Sequence, residues 1–423
     1  MLGGAKFCEG IKEKIQMFFQ LKKWVRNYEK DYLLLLLSLF VLPFSFDLFK
    51  IIMTLGFFFS IVLIWKNKNL EMCLNLIDFL ILLFLGWSFF VTLLSTSGSI
   101  GMFVHSGLIP ILFYFWISQR DFNEKEKFLV LQVFWLGAAT VAIVGIWEVV
   151  AGIGEVDSEW VDSARFPLLM NRMSGPLKNP NLLAGYLSMV IAFWSGYRLY
   201  RPTNRDGIIG SIGLIVLALC LLLTYSRGAW LSLFSILFAI GILARRGRYL
   251  LFGLVSLVAV VILSEPSVAE RVRSIFHPHL ESSSALRIAI WDSTLYIIRD
   301  YWFTGIGWGA FPFVYPAYDY FLGANQTTIY HAHNLFLQFL AEVGVIGFLI
   351  WTTITGIVLW NLWKKINQHN ALALGLCASL GVVLFCGLTD DLLYNPQLMT
   401  FFWFLIGLAQ INERNRSEIE GIE

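Results

Sequence analysis

Long apolar runs follow one another along the chain, and short charged or turn-rich breaks separate them. The runs are unbroken, whereas the strands of a membrane barrel alternate apolar and polar positions over about 10 residues. About 20 apolar residues suffice for a helix to cross a bilayer. The pattern therefore predicts an all-α polytopic membrane protein with about twelve transmembrane helices. They are expected near 32–48, 51–65, 75–96, 99–118, 128–151, 181–197, 208–223, 228–244, 249–264, 334–363, 371–388 and 397–411.

The composition agrees with this pattern. Of the 423 residues, 57% are hydrophobic and 14% are charged, and the mean hydropathy is +0.69. These values exclude an ordinary soluble enzyme. The formal net charge of +2 gives no indication of nucleic acid as a partner. The five cysteines lie in predicted cytoplasmic segments or within predicted helices, and their spacing indicates neither a disulfide framework nor a metal-binding pair.

The distribution of positive charge predicts how the chain crosses the membrane. If the N-terminal segment is cytoplasmic, the inside segments carry more than two thirds of the 31 lysines and arginines, as the positive-inside rule requires. Both termini are then cytoplasmic. The predicted segments are a cytoplasmic N-terminus at 1–31, helices 1–9 at 32–264 with an outside loop at 152–180, a large extracytoplasmic loop at 265–333, helices 10–12 at 334–411, and a cytoplasmic tail at 412–423.

The large loop between helices 9 and 10 has two parts. Glu281 to Ser284 followed by Ala285 to Arg299 is typical of a capped amphipathic helix, so the loop is expected to be partly helical. The stretch from Trp302 to Tyr320 is aromatic and rich in glycine. Its Gly305 to Gly309 segment lacks the strand and helix that flank a nucleotide-binding loop. We therefore expect an interfacial loop rich in Trp and Tyr.

Basic residues on the predicted outer side are the most informative, because they go against the orientation rule. Arg227 lies in Thr224-Tyr-Ser-Arg-Gly-Ala-Trp230, a turn between two apolar runs. Arg172 and Lys178 lie just before the sixth predicted helix. Each also has a structural interpretation, since an arginine can snorkel to the interface and a polar turn often starts a helix.

Arg287 and Trp291 are four residues apart on the predicted loop helix and therefore share one face, although this face is also compatible with a solvated charged surface. Several cations at one membrane surface suit an anionic ligand carried in the lipid. A polyprenyl pyrophosphate has this geometry, and arginine matches phosphate oxygens bidentately. The predicted partners are therefore membrane lipid and a lipid-linked anion.

His331 and His333 stand at the start of the tenth predicted helix, where a histidine often has a structural role. With His277 and His279 they would form a metal site only if a carboxylate or cysteine stood at a recognisable spacing, and none does. Glu342 is a carboxylate inside a predicted span, which makes it a functional candidate. It lies about 13 Å along the helix from His333 at 1.5 Å per residue, which argues against a direct pair.

Four segments together resemble the O-antigen ligase superfamily. His333-Asn334, nine residues, Gly344, two residues and Gly347 match its His-[Asn/Ser/Gln]-x9-Gly-x2-[Gly/Thr/Tyr] pattern in full. The segment from Thr224 to Trp230 is similar to the family's Ser-Arg-Gly turn. The segment from Arg172 to Leu187 is similar to its Gly-x3-Asn-Pro-Asn-x2-Ala segment, and Arg287 to Trp291 is similar to the Arg ahead of Trp in its large loop. Their order also agrees, so the resemblance covers about residues 30–410.

The resemblance implies a metal-independent, inverting glycosyltransferase that needs no cofactor. It would move a glycan from undecaprenyl pyrophosphate to an acceptor hydroxyl of lipid A-core or another glycan, on the outer face of the bacterial cytoplasmic membrane. By the same resemblance, Arg227 and Arg287 hold the pyrophosphate and His333 acts as general base. Arg172 and Lys178 would join the donor site. The expected supporting residues are His331, Asn334, Asn181, Trp291, Glu342 and Asp390.

O-antigen ligation in lipopolysaccharide assembly is the function that we favour. A polymerase of O-antigen or exopolysaccharide from the same superfamily is the alternative, because the sequence does not name the acceptor. A membrane transporter is the alternative of another class. Coupled transport generally needs ionisable residues in the middle of several helices, whereas here the charge gathers at the outer surface. A catalytically inert scaffold would leave the arginine and histidine cluster without a reason.

Overall fold

The computed structural model describes residues 30–67, 74–120, 122–153, 172–201, 206–243, 282–319 and 328–420. Within these ranges the chain forms helices joined by turns, with no strand, which confirms the all-helical prediction. The main helices are α1 (Lys30–Val41), α2 (Phe46–Asn67), α3 (Leu76–Leu94), α4 (Ile100–Ser118), α5 (Glu124–Ala151), α6 (Pro180–Tyr200), α7 (Asp206–Leu223), α8 (Arg227–Leu243), α9 (Ser282–Asp300), α10 (Leu335–Ile366), α11 (Ala371–Cys386) and α12 (Pro396–Glu420).

Five of these helices are long and apolar enough to cross a membrane, namely α3, α4, α5, α6 and α10. Shorter apolar helices lie within α7, α8, α11 and α12. The chain is therefore a membrane protein, while the number of twelve spans and the orientation stay predictions. The span expected at 249–264, most of the predicted N-terminal segment, and His277 and His279 lie outside the described residues.

The break between the first two helices differs from the prediction. The sequence pattern placed it at 49–50, but α1 ends at Val41 and α2 already begins at Phe46. Pro43 lies in the turn between them, and its ring cannot continue a helix. Asp47 and Lys50 do not interrupt α2, because they pair one helical turn apart at 2.6 Å.

Asparagine side chains start several of the helices by accepting hydrogen bonds from the first free backbone N–H groups. The capping residues are Asn75 for α3, Asn123 for α5, Asn179 for α6, Asn334 for α10 and Asn370 for α11. These caps explain why the predicted helix starts near 75, 181, 334 and 371 agree with the structure within a few residues.

The described chain divides into two compact units. In the smaller unit, which includes α1, α2 and residues 127–137, α1 packs against α2. In the larger unit, α6 packs against α7, α8 and α11, and α10 packs against α3, α9 and α11. The apolar part of α6 is 83% buried. This burial makes α6 the central helix of the larger unit.

Helix α10 is interrupted at Gly344, whose φ of 64° and ψ of −176° are not helical. The carbonyl groups of the preceding turn accept hydrogen bonds from outside the helix. The Ile306 N–H donates to the Ala341 carbonyl at 2.8 Å, and the Gly307 N–H donates to the Glu342 carbonyl at 2.9 Å. The Trp87 indole N–H donates to the Val343 carbonyl at 2.8 Å. The segment 302–309 is thereby docked on the kink.

Glycine is required on both sides of this contact. A Cβ on Gly344 would overlap the carbonyl oxygen of Phe303, and a Cβ on Gly305 would overlap that of Glu342. Both glycines also have a positive φ, which other residues adopt only with strain. Gly344 of the motif therefore allows the backbone of α10 to approach the backbone of the segment 302–309 closely.

The centre of the segment 302–309 is buried, which corrects part of the expectation of an interfacial loop. Trp302 and Phe303 are 59% and 48% exposed, but Trp308 is only 6% exposed. The indole of Trp308 donates to Ser106 Oγ at 2.8 Å and packs on Phe103 and Phe339. Ser106 lies in a π-helical turn of α4, Phe103–Leu108.

Candidate functional site

Asp390, in the turn that follows α11, joins two of the predicted site residues. One carboxylate oxygen lies 3.0 Å from His333 Nδ1, and the other accepts a hydrogen bond from Arg287 Nη2 at 3.1 Å. The Asp391 N–H also donates to Asp390 at 3.0 Å. The sequence had placed Asp390 only among the supporting residues, so its pairing with His333 is new.

The two neighbouring aspartates have opposite pKa shifts. Burial alone would raise the pKa of Asp390, but the charges of Arg287 and His333 outweigh burial and hold this pKa below its usual range. Burial raises the pKa of Asp391 to about 7, against the N–H groups of Leu393 and Tyr394 that stabilise its charged form. Asp390 is therefore the ionised member of the pair at neutral pH.

His333 is held in an unusual backbone conformation. Its φ is 49°, in the left-handed region that few residues other than glycine adopt and that often marks a functional site. The Trp291 indole N–H donates to the His333 carbonyl at 3.3 Å. Because ionised Asp390 accepts at Nδ1, the ring in its neutral form would carry its proton there and its lone pair at Nε2.

His331 supports the backbone of His333. Its Nδ1 accepts the His333 N–H at 3.2 Å, and its ring stacks on Tyr394 with centroids 3.9 Å apart. Burial lowers the pKa of His331 well below its usual value, and the neighbouring charges of His333 and Arg287 lower it further. His331 is therefore a neutral, structural histidine beside the candidate base.

One face of α9 is directed at this cluster. Ser284, Arg287 and Trp291 are three and four residues apart, and such spacing places them on the same side of a helix. Arg287 contacts Asp390, Trp291 contacts His333, and the Ser284 hydroxyl accepts a hydrogen bond from Arg227 Nη2 at 3.1 Å. The expectation that Arg287 and Trp291 share one face is confirmed.

Arg227 is the first residue of α8, directly after a tight turn. Tyr225 in this turn has a φ of 53°. The neighbouring Gly228 lies so close to the turn after α11 that a Cβ there would be 2.7 Å from Thr389 Oγ1. The motif glycine thus allows the Arg227 turn to lie beside the Asp390 turn.

Arg172 joins a third segment to the same region. Its Nε donates to the Thr224 carbonyl at 2.7 Å, and its Nη2 donates to Asn181 Oδ1 at 2.7 Å. Lys178, the other basic residue of this segment, is exposed and has a φ of 55°. Arg172 therefore supports the turn that presents Arg227, whereas Lys178 lies at the surface.

The Asn334 side chain caps α10 and ties its start to the Asp390 turn. Its Oδ1 accepts from the N–H groups of Phe336 and Leu337, and its Nδ2 donates to the Leu388 carbonyl at 3.0 Å. An amide can supply both the acceptor and the donor. This dual use gives a physical reason for asparagine next to His333 in the motif.

Glu342 lies apart from these contacts. It is buried, and its carboxyl group lies against the backbone of Gly309 and Phe311 and the side chain of Gln338. Its place under the 302–309 segment agrees with the expectation that it does not pair with His333.

Three groups of the cluster are close enough to bind a metal ion. One ligand atom from each of His331, His333 and Asp390 lies within 4.8 Å of the others. However, His331 Nδ1 already accepts a backbone hydrogen bond, and both Asp390 oxygens are engaged, one of them by the Arg287 cation at 3.1 Å. This donor set fits a hydrogen-bonded acid–base pair better than a metal centre.

Residues 212–352 match the family model described as O-antigen ligase. The match covers about a third of the chain, and over these residues the chain is similar to the O-antigen ligase family. The resemblance inferred from the motifs is thus confirmed over this segment, which includes Arg227, Arg287 and His333. Arg172 and Asp390 lie outside it. No curated protein matches the sequence.

The pairing of Asp390 with His333, the candidate base, was not predicted from the sequence. Asp390 is 57 residues after His333, and no periodicity links the two. The available signal was an acidic pair, Asp390 and Asp391, between two apolar runs at the same predicted membrane surface as the arginines.

Proposed function

We propose that the protein is an inverting glycosyltransferase that moves a glycan from undecaprenyl pyrophosphate to an acceptor hydroxyl. The single observation that carries this proposal is the convergence of Arg227, Arg287 and His333 around the α9 face and Asp390. A base and a set of cations meet there. Their separation in the sequence makes a chance meeting of these motif residues improbable.

His333 is the general base in this proposal. Asp390 orients the ring through Nδ1 and leaves the lone pair of Nε2 to take the proton from the acceptor hydroxyl. The acceptor oxygen then bonds to the anomeric carbon of the donor glycan, and the bond from that carbon to the pyrophosphate oxygen breaks. Attack from the opposite face inverts the anomeric centre.

Arg227 and Arg287 bind the pyrophosphate and stabilise the charge that it gains on leaving. Arginine forks suit phosphate oxygens, and preorganised cations can stabilise such charge as a metal ion does elsewhere. The N-terminal ends of α6, α8 and α10 carry the motif residues Asn181, Arg227 and Asn334, and helix N-termini favour anions. We therefore propose that the transfer is metal-independent.

The buried carboxylates support transfer over transport. Asp78 closes the cap of α3 and accepts from Tyr114 at 2.6 Å, Glu148 holds the segment after Arg172, and Glu342 lies under the 302–309 segment. Each has a structural role, whereas a proton or ion relay needs exchangeable groups along a path.

The proposed setting is the outer face of the bacterial cytoplasmic membrane, with both termini in the cytoplasm. Lipid A-core is the acceptor that we favour, as in O-antigen ligation. A polymerase would use the same base and the same arginines on a growing glycan, so the two functions differ in the acceptor alone.

The experiment that tests this proposal compares His333 and His369, which lie just beyond the two opposite ends of α10. We expect His333→Ala to lower the transfer rate about 10²- to 10⁴-fold, the typical contribution of a positioned base. Transfer is measured with purified protein, lipid-linked glycan donor and lipid A-core acceptor, with and without EDTA.

His369→Ala is the matched control, because His369 is exposed, has a φ of 59° and lies just beyond the other end of α10. It should transfer at the wild-type rate. Full activity of His333→Ala would refute the general base, and loss of wild-type activity in EDTA with recovery on one divalent ion would refute the role given to the arginines.

A further inference from the structure

Glu148 lies one turn before the end of α5 and was not among the candidate site residues. It is 8% exposed. Its two carboxylate oxygens accept hydrogen bonds from one neighbouring segment, from Ser174 Oγ at 2.5 Å and from the Gly175 N–H at 2.5 Å. A buried carboxylate thus holds both a side chain and the backbone of the segment that follows Arg172.

The same segment is fixed on its other side by α7 and α5. The Met173 N–H donates to the Leu223 carbonyl at 3.0 Å, and the Met173 side chain is fully buried. A Cβ on Gly145 would lie 2.8 Å from the sulfur of Met173. The absence of a side chain at Gly145 therefore lets Met173 pack directly on α5, one turn before Glu148.

Arg172 is the residue directly before this fixed stretch. Its guanidinium group reaches the Thr224 carbonyl and Asn181 at 2.7 Å each. Thr224 begins the turn that ends at Arg227. The contacts therefore run without a break from Glu148, through Ser174 and Arg172, to the turn that presents Arg227.

We propose that Glu148 is a positioning residue of the donor site, which sets the place of Arg172 and, through it, of the Arg227 turn. This inference rests on the proposed function, since it concerns binding of a lipid pyrophosphate. Glu148 itself need not touch the donor. Its two carboxylate oxygens accept one hydrogen bond each, and hydrogen bonds to charged groups are stronger than those between neutral groups.

A glutamine at this position would retain the shape of the side chain and lose part of the function. It offers one acceptor oxygen and one N–H₂ group, so one of the two acceptor oxygens is replaced by a donor, and the remaining hydrogen bonds lose the strength that the negative charge gives. We therefore expect the segment to shift in Glu148→Gln, and Arg172 with it. Removal of the Ser174 hydroxyl should have a smaller effect, because the Gly175 N–H still holds the carboxylate.

The experiment measures binding of undecaprenyl pyrophosphate to the purified full chain in detergent. We expect Glu148→Gln to weaken the affinity about tenfold, the cost of about one charge-assisted hydrogen bond, and Ser174→Ala to weaken it less. The double variant Glu148→Gln with Arg172→Ala should bind no more weakly than Arg172→Ala alone, because Glu148 acts through Arg172. A purely structural role would not produce this coupling.

Asp78→Asn is the matched control, since Asp78 is also a buried carboxylate that holds a backbone N–H and a hydroxyl. It should retain wild-type affinity in the folded fraction. Wild-type binding by Glu148→Gln, or effects of Glu148→Gln and Arg172→Ala that multiply, would overturn the inference. If Glu148→Gln does not fold, Ser174→Ala decides, and unchanged binding there overturns the inference. Failure of the wild type to bind undecaprenyl pyrophosphate, or binding that Arg227→Ala leaves unchanged, would overturn the proposed function together with it.

Discussion

Glu342 and Asp390 are both buried carboxylates near the first half of α10, and they are almost equally exposed, at 9% and 8%. Their partners differ. Glu342 lies against backbone groups of the 302–309 region, whereas Asp390 contacts the ionisable groups of Arg287 and His333. Burial alone thus does not distinguish a carboxylate that we propose to position the base from one with a structural role. The identity of the groups that it contacts does.

The kink of α10 separates the two environments. Before Gly344, the start of the helix carries His333 and Asn334 and meets the Asp390 turn. At Gly344, backbone hydrogen bonds fix the aromatic segment against the helix. The comparison predicts that changes near Asp390 affect turnover, while changes near Gly344 affect the amount of folded protein.

The largest effect that tests this comparison is expected from Asp390→Asn. The amide removes the charge that holds the proton on His333 Nδ1 and pairs with Arg287, so the ring loses its preferred tautomer and orientation. We expect transfer to fall roughly 10²-fold, within the range for a general base. Turnover by purified protein, normalised to the folded fraction, measures it.

Glu342→Gln is the matched variant, since it makes the same chemical change in the other buried carboxylate. It should retain transfer within a few fold of the wild type. Comparable losses of turnover in both folded variants would mean that the two sites are not functionally distinct.

An effect on folding is expected from Gly344→Ala. The added Cβ overlaps the Phe303 carbonyl, and alanine is strained at a φ of 64°. Strain of this kind costs about 1–3 kcal/mol, so we expect less folded protein in the membrane and a lower temperature of unfolding in detergent. The remaining folded protein should transfer glycan.

Gly356→Ala is the control in the same helix, because a Cβ there meets nothing within 4 Å. Alanine is also the better helix former, so its unfolding temperature should equal or exceed that of the wild type. Equal destabilisation by both variants would contradict the role assigned to the kink.

The smallest expected effect is on the pH dependence of stability, through Asp391. Burial raises its pKa from 3.8 to about 7 in the folded protein, so between these values the folded chain retains a proton that the unfolded chain has released. The stability from this group is therefore full below about pH 4 and is lost as the pH rises through 7. Thermal unfolding between pH 5 and 8 measures the decline.

Asp391→Asn does not titrate, so its unfolding temperature should decline less over the same interval. The matched variant Asp390→Asn should flatten the curve less, because it removes the neighbouring charge that adds to the raised pKa of Asp391 but leaves Asp391 buried and able to titrate. Identical pH profiles for the wild type and Asp391→Asn would show that Asp391 is charged in the folded protein.

The sequence by itself determined the helical membrane class and most helix starts, and it singled out the candidate site residues. Apolar runs predict helices because a bilayer offers no partner for an open backbone, and asparagine caps mark their starts. Arg227, Arg287 and His333 stood out because charge and polar motifs are rare in such a chain. The division into apolar runs misplaced the first break, since Pro43 and the Asp47–Lys50 pair act locally in ways that hydropathy does not register.

Only the tertiary structure decided which of these residues meet. The pairing of His333 with Asp390, the hold of Glu148 on the segment after Arg172, and the burial of Trp308 all join segments far apart in the chain. Such contacts depend on how the helix ends pack, on a left-handed turn at His333 and on close backbone approaches at Gly228 and Gly344. Periodicity records which face of a helix is apolar, but it carries no information on which distant turn lies opposite a given side chain.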